Sequence, residues 1–261
     1  MVGGSFLVGI GAACIGLCLG LLGSGGSIIT VPVLVYLVGQ DEKIAIAGSL
    51  AIVGIIAFAA SLNYMHQRQV DWRMVLLFGV PGMVGTFLGA WASAWVSGVF
   101  QLAVFAGVML LASWFMLKPV SPVSTENSNP VARSVFKIGS EGTVVGVVTG
   151  FVGVGGGFLI VPALVLLGGL TMHRAVATSL IIIAMKSLIG FLKYLDVLEQ
   201  QQLSIDWSVV VMVSVIGIVG SFLGNALAGK VPQALLKKIF AVFLILMGVY
   251  ILVRSLPALL G

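Results

Sequence analysis

Charged side chains are scarce in this sequence. Of its 261 residues, 8% are charged and 60% are hydrophobic, whereas a soluble domain carries roughly 25% charged residues. So few charges cannot cover the surface of a soluble protein of this size, and much of that surface must therefore face lipid. Because α-helices satisfy their own backbone hydrogen bonds in a bilayer, the composition predicts an all-α polytopic membrane protein.

Several functional motifs are also absent. The sequence has no Gly-x4-Gly-Lys-Ser/Thr phosphate loop, no cluster of metal ligands and no arginine ladder of a voltage sensor. Cys14 and Cys18 are the only cysteines, and their spacing within one apolar run favours packing over a metal or disulfide pair. The net charge of +5 comes from residues between apolar runs, which is typical of cytoplasmic loops and not of a nucleic-acid site. We therefore expect no cofactor, no metal, no nucleic-acid partner and no enzymatic activity.

Ten apolar runs follow one another along the chain. They cover residues 6–22, 27–38, 45–63, 74–94, 100–117, 141–153, 157–169, 175–194, 208–228 and 236–255. The break from Lys118 to Ser140 is rich in Pro, Asn, Ser and Thr, a composition typical of linkers. We therefore predict a first transmembrane repeat at 1–117, a polar cytoplasmic linker at 118–140 and a second repeat at 141–261.

The two halves are copies of one unit. An offset of 130 residues aligns 20–64 with 150–194 without a gap, and 17 of the 45 positions are identical. An offset of 135 then pairs Asp71-Trp72 with Asp206-Trp207. Such internal duplication is typical of secondary transporters.

The distribution of lysine and arginine predicts the orientation of the repeats. If the first two runs of each half form a pair that returns to the same side, nine basic residues lie on one side and three on the other. The nine are Arg68, Arg73, Lys118, Arg133, Lys137, Arg174, Lys230, Lys237 and Lys238, and the three are Lys43, Lys193 and Arg254. Cytoplasmic loops carry the excess of positive charge, so this split favours five segments per half and an inverted repeat. In this arrangement the short runs are either short spans or re-entrant helices.

A glycine cluster separates the first two runs of each half. The clusters are Gly23-Ser24-Gly25-Gly26-Ser27 and Gly153-Val154-Gly155-Gly156-Gly157. Each glycine costs a helix about 1 kcal/mol relative to alanine, so the clusters predict helix breaks. A broken helix within a membrane is tolerated where it lines a cavity, and its free N–H groups attract anions. We therefore expect the two half-helix starts to face one another near the midplane and to bind an anion; close helix packing is the alternative.

Lys186 is the second candidate for anion binding. It lies near the middle of the run at 175–194, and its counterpart in the first half is Ile56. A lysine at the bilayer centre costs roughly 2.5–3.5 kcal/mol, and no acidic residue lies in the core of an apolar run to pair with it, since all eight fall in or beside loops. The charge therefore predicts an anionic partner, which we expect to be the substrate; a neutral, merely buried lysine is the alternative.

Ser49 and Ser179 occupy equivalent positions in the two halves, with Thr178, Asn63 and Asn225 nearby in sequence. Their side chains can donate hydrogen bonds to an oxyanion or to a neighbouring helix, and the sequence leaves both interpretations open. A serine hydrolase that uses Ser24 with His66 or His173 is a remote alternative, because Val154 replaces Ser24 in the second half. A non-catalytic scaffold protein would not explain Lys186.

The paired glycine motifs, with Pro32 and Pro162 behind them, resemble those of the TauE/SafE sulfite exporter family. The following Ala45-x-Ala-x-Ser and Ala175-x-Ala-x-Ser segments are similar too. The resemblance covers essentially the whole chain. It implies a multi-pass transporter of the bacterial inner membrane that carries sulfite or an organosulfonate such as sulfoacetate, and it carries over Gly23, Gly25, Gly26, Gly153, Gly155, Gly156 and Gly157 as the family signature. Ser24 and Ser27 depart from the all-glycine form of the second motif.

From these features we expect a secondary transporter of a small anion that works by alternating access around a midplane site. A transporter of another small solute or ion is the alternative. The sequence leaves open which anion moves, in which direction, with which coupling ion, and whether the protein acts as a homodimer.

Overall fold

The computed structural model describes residues 2–23, 26–117, 135–153, 157–166, 168–228 and 232–260. Every regular element within these ranges is helical. The all-α prediction is therefore confirmed for the described part of the chain. Residues 118–134, which make up most of the predicted linker, lie outside it.

Within the described residues, ten helical segments account for the ten apolar runs. The first half contains α1 (Val2–Leu22), α2 (Gly26–Leu37), α3 (Glu42–His66), α4 (Trp72–Trp95) and α5 (Gly98–Leu117). The second half contains α6 (Val135–Val152), α7 (Gly157–Leu166), α8 (Met172–Gln200), α9 (Trp207–Ala228) and α10 (Gln233–Leu260). Helix α6 begins before the apolar run that predicted it, so residues 135–140 are helical.

Four helices, α3, α4, α8 and α9, are long and apolar enough to cross a membrane. Their outward faces are apolar, as at Phe58, which is 60% exposed, and Leu188, which is 57% exposed. Helices α2 and α7 are much shorter, with lengths of about 18 Å and 15 Å, so neither crosses a hydrocarbon core of about 30 Å. The short second run of each half is therefore a short helix, as its length predicted.

Glycines allow two pairs of helices to pack with their backbones in contact. A β-carbon at Gly146 of α6 would lie 3.0 Å from the carbonyl carbon of Gly82 of α4, and one at Gly16 of α1 would lie 2.7 Å from Cα of Gly217 of α9. Gly16 aligns with Gly146 at the offset of 130, and Gly82 aligns with Gly217 at the offset of 135. The α1–α9 contact is thus the sequence equivalent of the α6–α4 contact. Small residues at every fourth position permit this close approach in membranes.

Helices α3 and α8, which are equivalent to one another, pack together and run in opposite directions. Gly54 of α3 lies against Ser187 of α8, and the Tyr64 ring near the end of α3 lies 6.0 Å from the His173 ring near the start of α8. The crossing point is therefore close to Gly54 and Ser187. It lies near the middle of both helices and defines the centre of the molecule for the sites described below.

Candidate anion-binding site

Helices α1 and α6 each end at a glycine with a positive φ. Gly23 has φ +65° and Gly153 has φ +73°, a backbone conformation that favours glycine. Their N–H groups donate to Leu19 O at 2.8 Å and Thr149 O at 2.9 Å, which closes the last turn of each helix. A β-carbon at Gly23 would also overlap Val176, and one at Gly153 would overlap the equivalent Ile46. Both conformation and space therefore require glycine at these two breaks.

The two equivalent serines hold the breaks by hydrogen bonds that cross between the halves. Ser49 Oγ of α3 donates to Gly153 O at 2.6 Å, and Ser179 Oγ of α8 donates to Gly23 O at 3.2 Å. Each hydroxyl also lies 2.8 Å from a carbonyl of its own helix. A serine hydroxyl has one proton, and here it is shared between carbonyl oxygens. This arrangement favours helix-to-helix bonding over direct donation to an anion.

The half-helices α2 and α7 start after these breaks. Gly26 and Gly157, their first residues, are buried. Ser24, Gly25, Gly155 and Gly156, which the sequence also placed in the site, lie outside the described residues. Pro32 lies within α2 and has no N–H to donate, and the following segment, Val33–Leu37, has the wider turns of a π-helix.

The two helix breaks are held at different positions along the α3–α8 contact. The break at Gly23 contacts Ser179 of α8. Ser179 lies seven residues, or about 10 Å, along that helix from Lys186, which is next to Ser187 at the crossing. The break at Gly153 contacts Ser49 on the other side of the crossing. Because α3 and α8 are antiparallel, equivalent positions on them lie at opposite ends of the contact. The two helix starts therefore lie on opposite sides of the molecular centre.

Lys186 lies at that centre and is fully buried. Its Nζ has no hydrogen-bond partner within the part of the chain that the structure describes. Its stem rests against Gly82 of α4, where a β-carbon would lie 3.4 Å from Lys186 Cε. In the first half, Ile56 packs in the same way against Gly217 of α9. The lysine thus occupies a position that its counterpart fills with an apolar side chain.

The ion pairs of the described chain involve other cations. Arg174 lies 3.4 Å from Asp71, and Lys193 lies 2.8 Å from Asp196 in the same helix. Both pairs are partly exposed, whereas Lys186 is enclosed. The structure therefore brings no carboxylate of the described residues to the central ammonium.

The remaining polar candidates have local roles. Thr178 Oγ1 accepts from the backbone N–H of Asp71 at 3.0 Å, and Asn63 Oδ1 accepts from Gln67 Nε2 at 3.2 Å. The backbone of Asn225 lies close to Gly20 in the α1–α9 contact. His173 packs its ring on Tyr64, and Ser24, the nucleophile of the hydrolase alternative, lies outside the described residues.

Sequence reasoning missed a buried polar cluster at the end of α6. Phe151 O accepts hydrogen bonds from Tyr194 Oη and Gln101 Nε2, which lie on α8 and α5. Nearby, Lys43 is buried and donates to Ser93 O at 2.6 Å, although the sequence placed it in a loop. A glutamine at the start of an apolar run was the available signal for this cluster.

A metal site finds no support in the described chain, where no three His, Cys, Asp or Glu side chains come together. Cys14 and Cys18 are free thiols. Near the crossing of α3 and α8, the buried polar side chains of the described chain include the Ser187 hydroxyl and the Lys186 ammonium. Among these, the ammonium is the group that favours a negatively charged ligand.

Comparisons with known proteins extend these observations. The family model described as "Sulfite exporter TauE/SafE" matches residues 8–251. A relative from Xylella fastidiosa, named "Probable membrane transporter protein", is 32% identical, and the match covers 98% of each chain. The Bacillus subtilis protein named "Probable membrane transporter protein YunE" is 26% identical over 87% of this chain and 90% of its own. No solved structure matches the chain.

Proposed function

The chain belongs to the TauE/SafE sulfite exporter family, and on that premise we propose that it is a secondary transporter of a small anion, sulfite or an organosulfonate such as sulfoacetate. The family is described as a sulfite exporter family, and the two relatives are each named a probable membrane transporter protein. The choice of anion and the mechanism are the proposal. The inner membrane of a bacterium, with several crossings of the bilayer, is the location that it implies.

One observation carries the proposal: the ammonium of Lys186 is fully buried and has no partner in the described chain. An isolated ammonium at this depth costs a few kcal/mol relative to an apolar side chain. A bound anion would offset that cost by a charge-assisted hydrogen bond. An oxyanion with delocalised charge, such as a sulfonate or sulfite, fits a single central donor supported by backbone dipoles.

The helix breaks provide those dipoles. Helices α2 and α7 begin at Gly26 and Gly157, and the partial positive charge of a helix N-terminus attracts anions. Because the two starts lie on opposite sides of Lys186, we assign one to each side of the central site. An anion would pass from one break to the ammonium and then to the other break. In this arrangement Ser49 and Ser179 hold the breaks in place and do not bind the anion directly.

We propose an inverted repeat as the basis of alternating access. Three features support it: the sequence duplication, the antiparallel crossing of the equivalent helices α3 and α8, and the equivalence of the α1–α9 and α4–α6 contacts. In this fold α2 and α7 are re-entrant half-helices. Rocking of one half against the other about the α3–α8 crossing would expose Lys186 to each side in turn.

Helix directions agree with the predicted distribution of positive charge. The end of α3 and the start of α8 lie on the same side, because those helices are antiparallel. Arg68 and Arg174 therefore share one side, whereas Lys43 and Lys193, at the other ends of the same two helices, share the opposite side. This supports a cytoplasmic location for the first pair.

Anion uptake into proteoliposomes tests the proposal. Sulfite, sulfoacetate, thiosulfate and chloride are offered to wild type and to Lys186→Ile, a replacement that copies the native Ile56 at the equivalent position. We expect the variant to fold and to lose about 30- to 150-fold of its sulfite or sulfonate flux, as loss of a charged hydrogen bond of about 2–3 kcal/mol predicts. Lys193→Met, which removes an ion-paired lysine from the same helix, is the control and should retain flux.

Two results would contradict the proposal. Wild-type protein that carries a cation or a neutral solute, but none of these anions, would exclude the substrate class. Equal anion flux in wild type and Lys186→Ile would remove Lys186 from the mechanism.

A further inference from the structure

The end of α6 is held by three side chains from three other helices. Phe151 O accepts a hydrogen bond from Tyr194 Oη at 2.9 Å and a second from Gln101 Nε2. Gln101 Nε2 also donates to Tyr194 Oη at 2.7 Å, so the two side chains support one another. Ser49 Oγ binds the carbonyl of Gly153, two residues further on. The last carbonyls of a helix have no partner within the helix, and here side chains supply one.

The first half has the equivalent tyrosine but not the same bonds. Tyr64, the counterpart of Tyr194, is 1% exposed, and its hydroxyl has no hydrogen-bond partner in the described structure. The offset of 135 aligns Gln101 with Leu236, which has no amide. Ser179 Oγ binds Gly23 O, and this bond is longer than its counterpart, 3.2 Å against 2.6 Å. Two equivalent helix ends are therefore held unequally.

We propose that Gln101 and Tyr194 are positioning residues that fix the end of α6 at the second glycine break, and that the end of α1, whose equivalent tyrosine makes no such bond in the described structure, is the one that shifts during transport. This inference rests on the proposed function, since the break is taken to form one side of the anion site. The hydroxyl and the amide do not touch the anion. They act through Phe151 O, which holds the end of α6 and so sets where α7 begins.

Burial strengthens the effect of these bonds. Gln101 and Tyr194 are both fully buried, so both donor side chains are shielded from water. Loss of one donor leaves the Phe151 carbonyl with a weaker set of bonds. Tyr64 contributes no such bond, so its hydroxyl is dispensable for positioning. The duplication thereby supplies a matched control within the same chain.

Transport kinetics of paired tyrosine variants test the inference. Tyr194→Phe and Tyr64→Phe each remove a single buried hydroxyl. We expect Tyr194→Phe to raise the KM for sulfite about tenfold, the effect of one buried hydrogen bond, with a maximal rate within about twofold of wild type. Tyr64→Phe should leave both values within about twofold. Gln101→Leu should resemble Tyr194→Phe, and the double variant should be less impaired than the product of the two single effects predicts.

Hydrogen–deuterium exchange of the purified protein provides a readout that needs no substrate. In wild type, backbone amides around Gly23 should exchange faster than those around Gly153, and Tyr194→Phe should raise the exchange around Gly153 to a similar rate. Equal KM effects of the two tyrosine variants, or equal wild-type exchange at the two breaks, would overturn the inference. If wild type carries no anion but exchange follows this pattern, the proposed function fails while the positioning role stands.

Discussion

The two halves of the chain place the same helix in the same packing environment and then differ by one charge. Ile56 of α3 rests against Gly217, and Lys186 of α8 rests against Gly82 in the equivalent contact. Both side chains are fully buried. Packing alone therefore accepts an apolar residue at this position, and the lysine of the second half needs another explanation. Comparison of the two halves therefore separates burial of a side chain at this position, which helix packing requires in both halves, from the positive charge, which only the second half has.

We expect the largest loss of stability from variants that disrupt the glycine contacts between helices, which both halves share. Leucine at Gly146 or Gly16 would push apart helix backbones in direct contact, because a β-carbon at either glycine already lies within 3.0 Å of backbone atoms across the interface. We expect Gly146→Leu and Gly16→Leu each to cost more than about 3 kcal/mol of stability, measured by thermal unfolding in detergent. Gly9→Leu, on the same helix as Gly16 but with open space around its β-carbon position, is the control. Retained stability in both interface variants would contradict backbone contact.

A second variant makes the halves alike by adding a charge. Ile56→Lys would place a second buried ammonium at the α3–α8 crossing, with no acidic residue in the core of an apolar run to pair with it. We expect it to lower stability by about 2.5–3.5 kcal/mol, whereas Ile56→Met should change it little. Unfolding temperature and the yield of folded protein check this prediction. An Ile56→Lys protein as stable as wild type would mean that a lysine here is tolerated without a ligand, which weakens the case for Lys186.

We expect a smaller loss of stability when either of the two serine bonds between the halves is removed. Ser49→Ala and Ser179→Ala each remove one hydroxyl that caps a helix break, and each should cost about 1 kcal/mol. The Ser49 variant should be the less stable of the two, since its bond to Gly153 O is shorter than that of Ser179 to Gly23 O, 2.6 Å against 3.2 Å. Ser61→Ala is the control, because that hydroxyl bonds to a carbonyl of its own helix. The reverse order of the two variants would contradict the unequal hold on the breaks.

Much of the fold could be predicted from the sequence. The apolar runs predicted the ten helical segments. A chain so poor in charge lies largely in lipid, where a helix satisfies its own backbone hydrogen bonds. The glycine clusters located the breaks, because glycine disfavours helix and accepts a positive φ at Gly23 and Gly153. Both signals come from residues that are neighbours in the chain, so they can be recognised in a single sequence.

The rest depends on contacts between distant segments. The sequence indicates where the chain breaks but not the depth of each break, which follows from the antiparallel crossing of α3 and α8. Lys43 was predicted to lie in a loop, yet its ammonium is buried against Ser93 O, fifty residues away in sequence. Tyr64 and Tyr194 are identical in the alignment, and only the fold distinguishes them, since Gln101 approaches one of them. The proposed site rests on Lys186, whose charge the sequence already shows within an apolar run.

Direct measurement of anion binding tests the central claim, that Lys186 holds the anion. Sulfite is titrated into detergent-purified wild type, Lys186→Ile and Lys193→Met in a calorimeter at one salt concentration. We predict that Lys186→Ile raises the Kd for sulfite about 30- to 150-fold, while Lys193→Met binds as wild type does. Equal sulfite affinity in wild type and Lys186→Ile, with both proteins folded, would contradict the account.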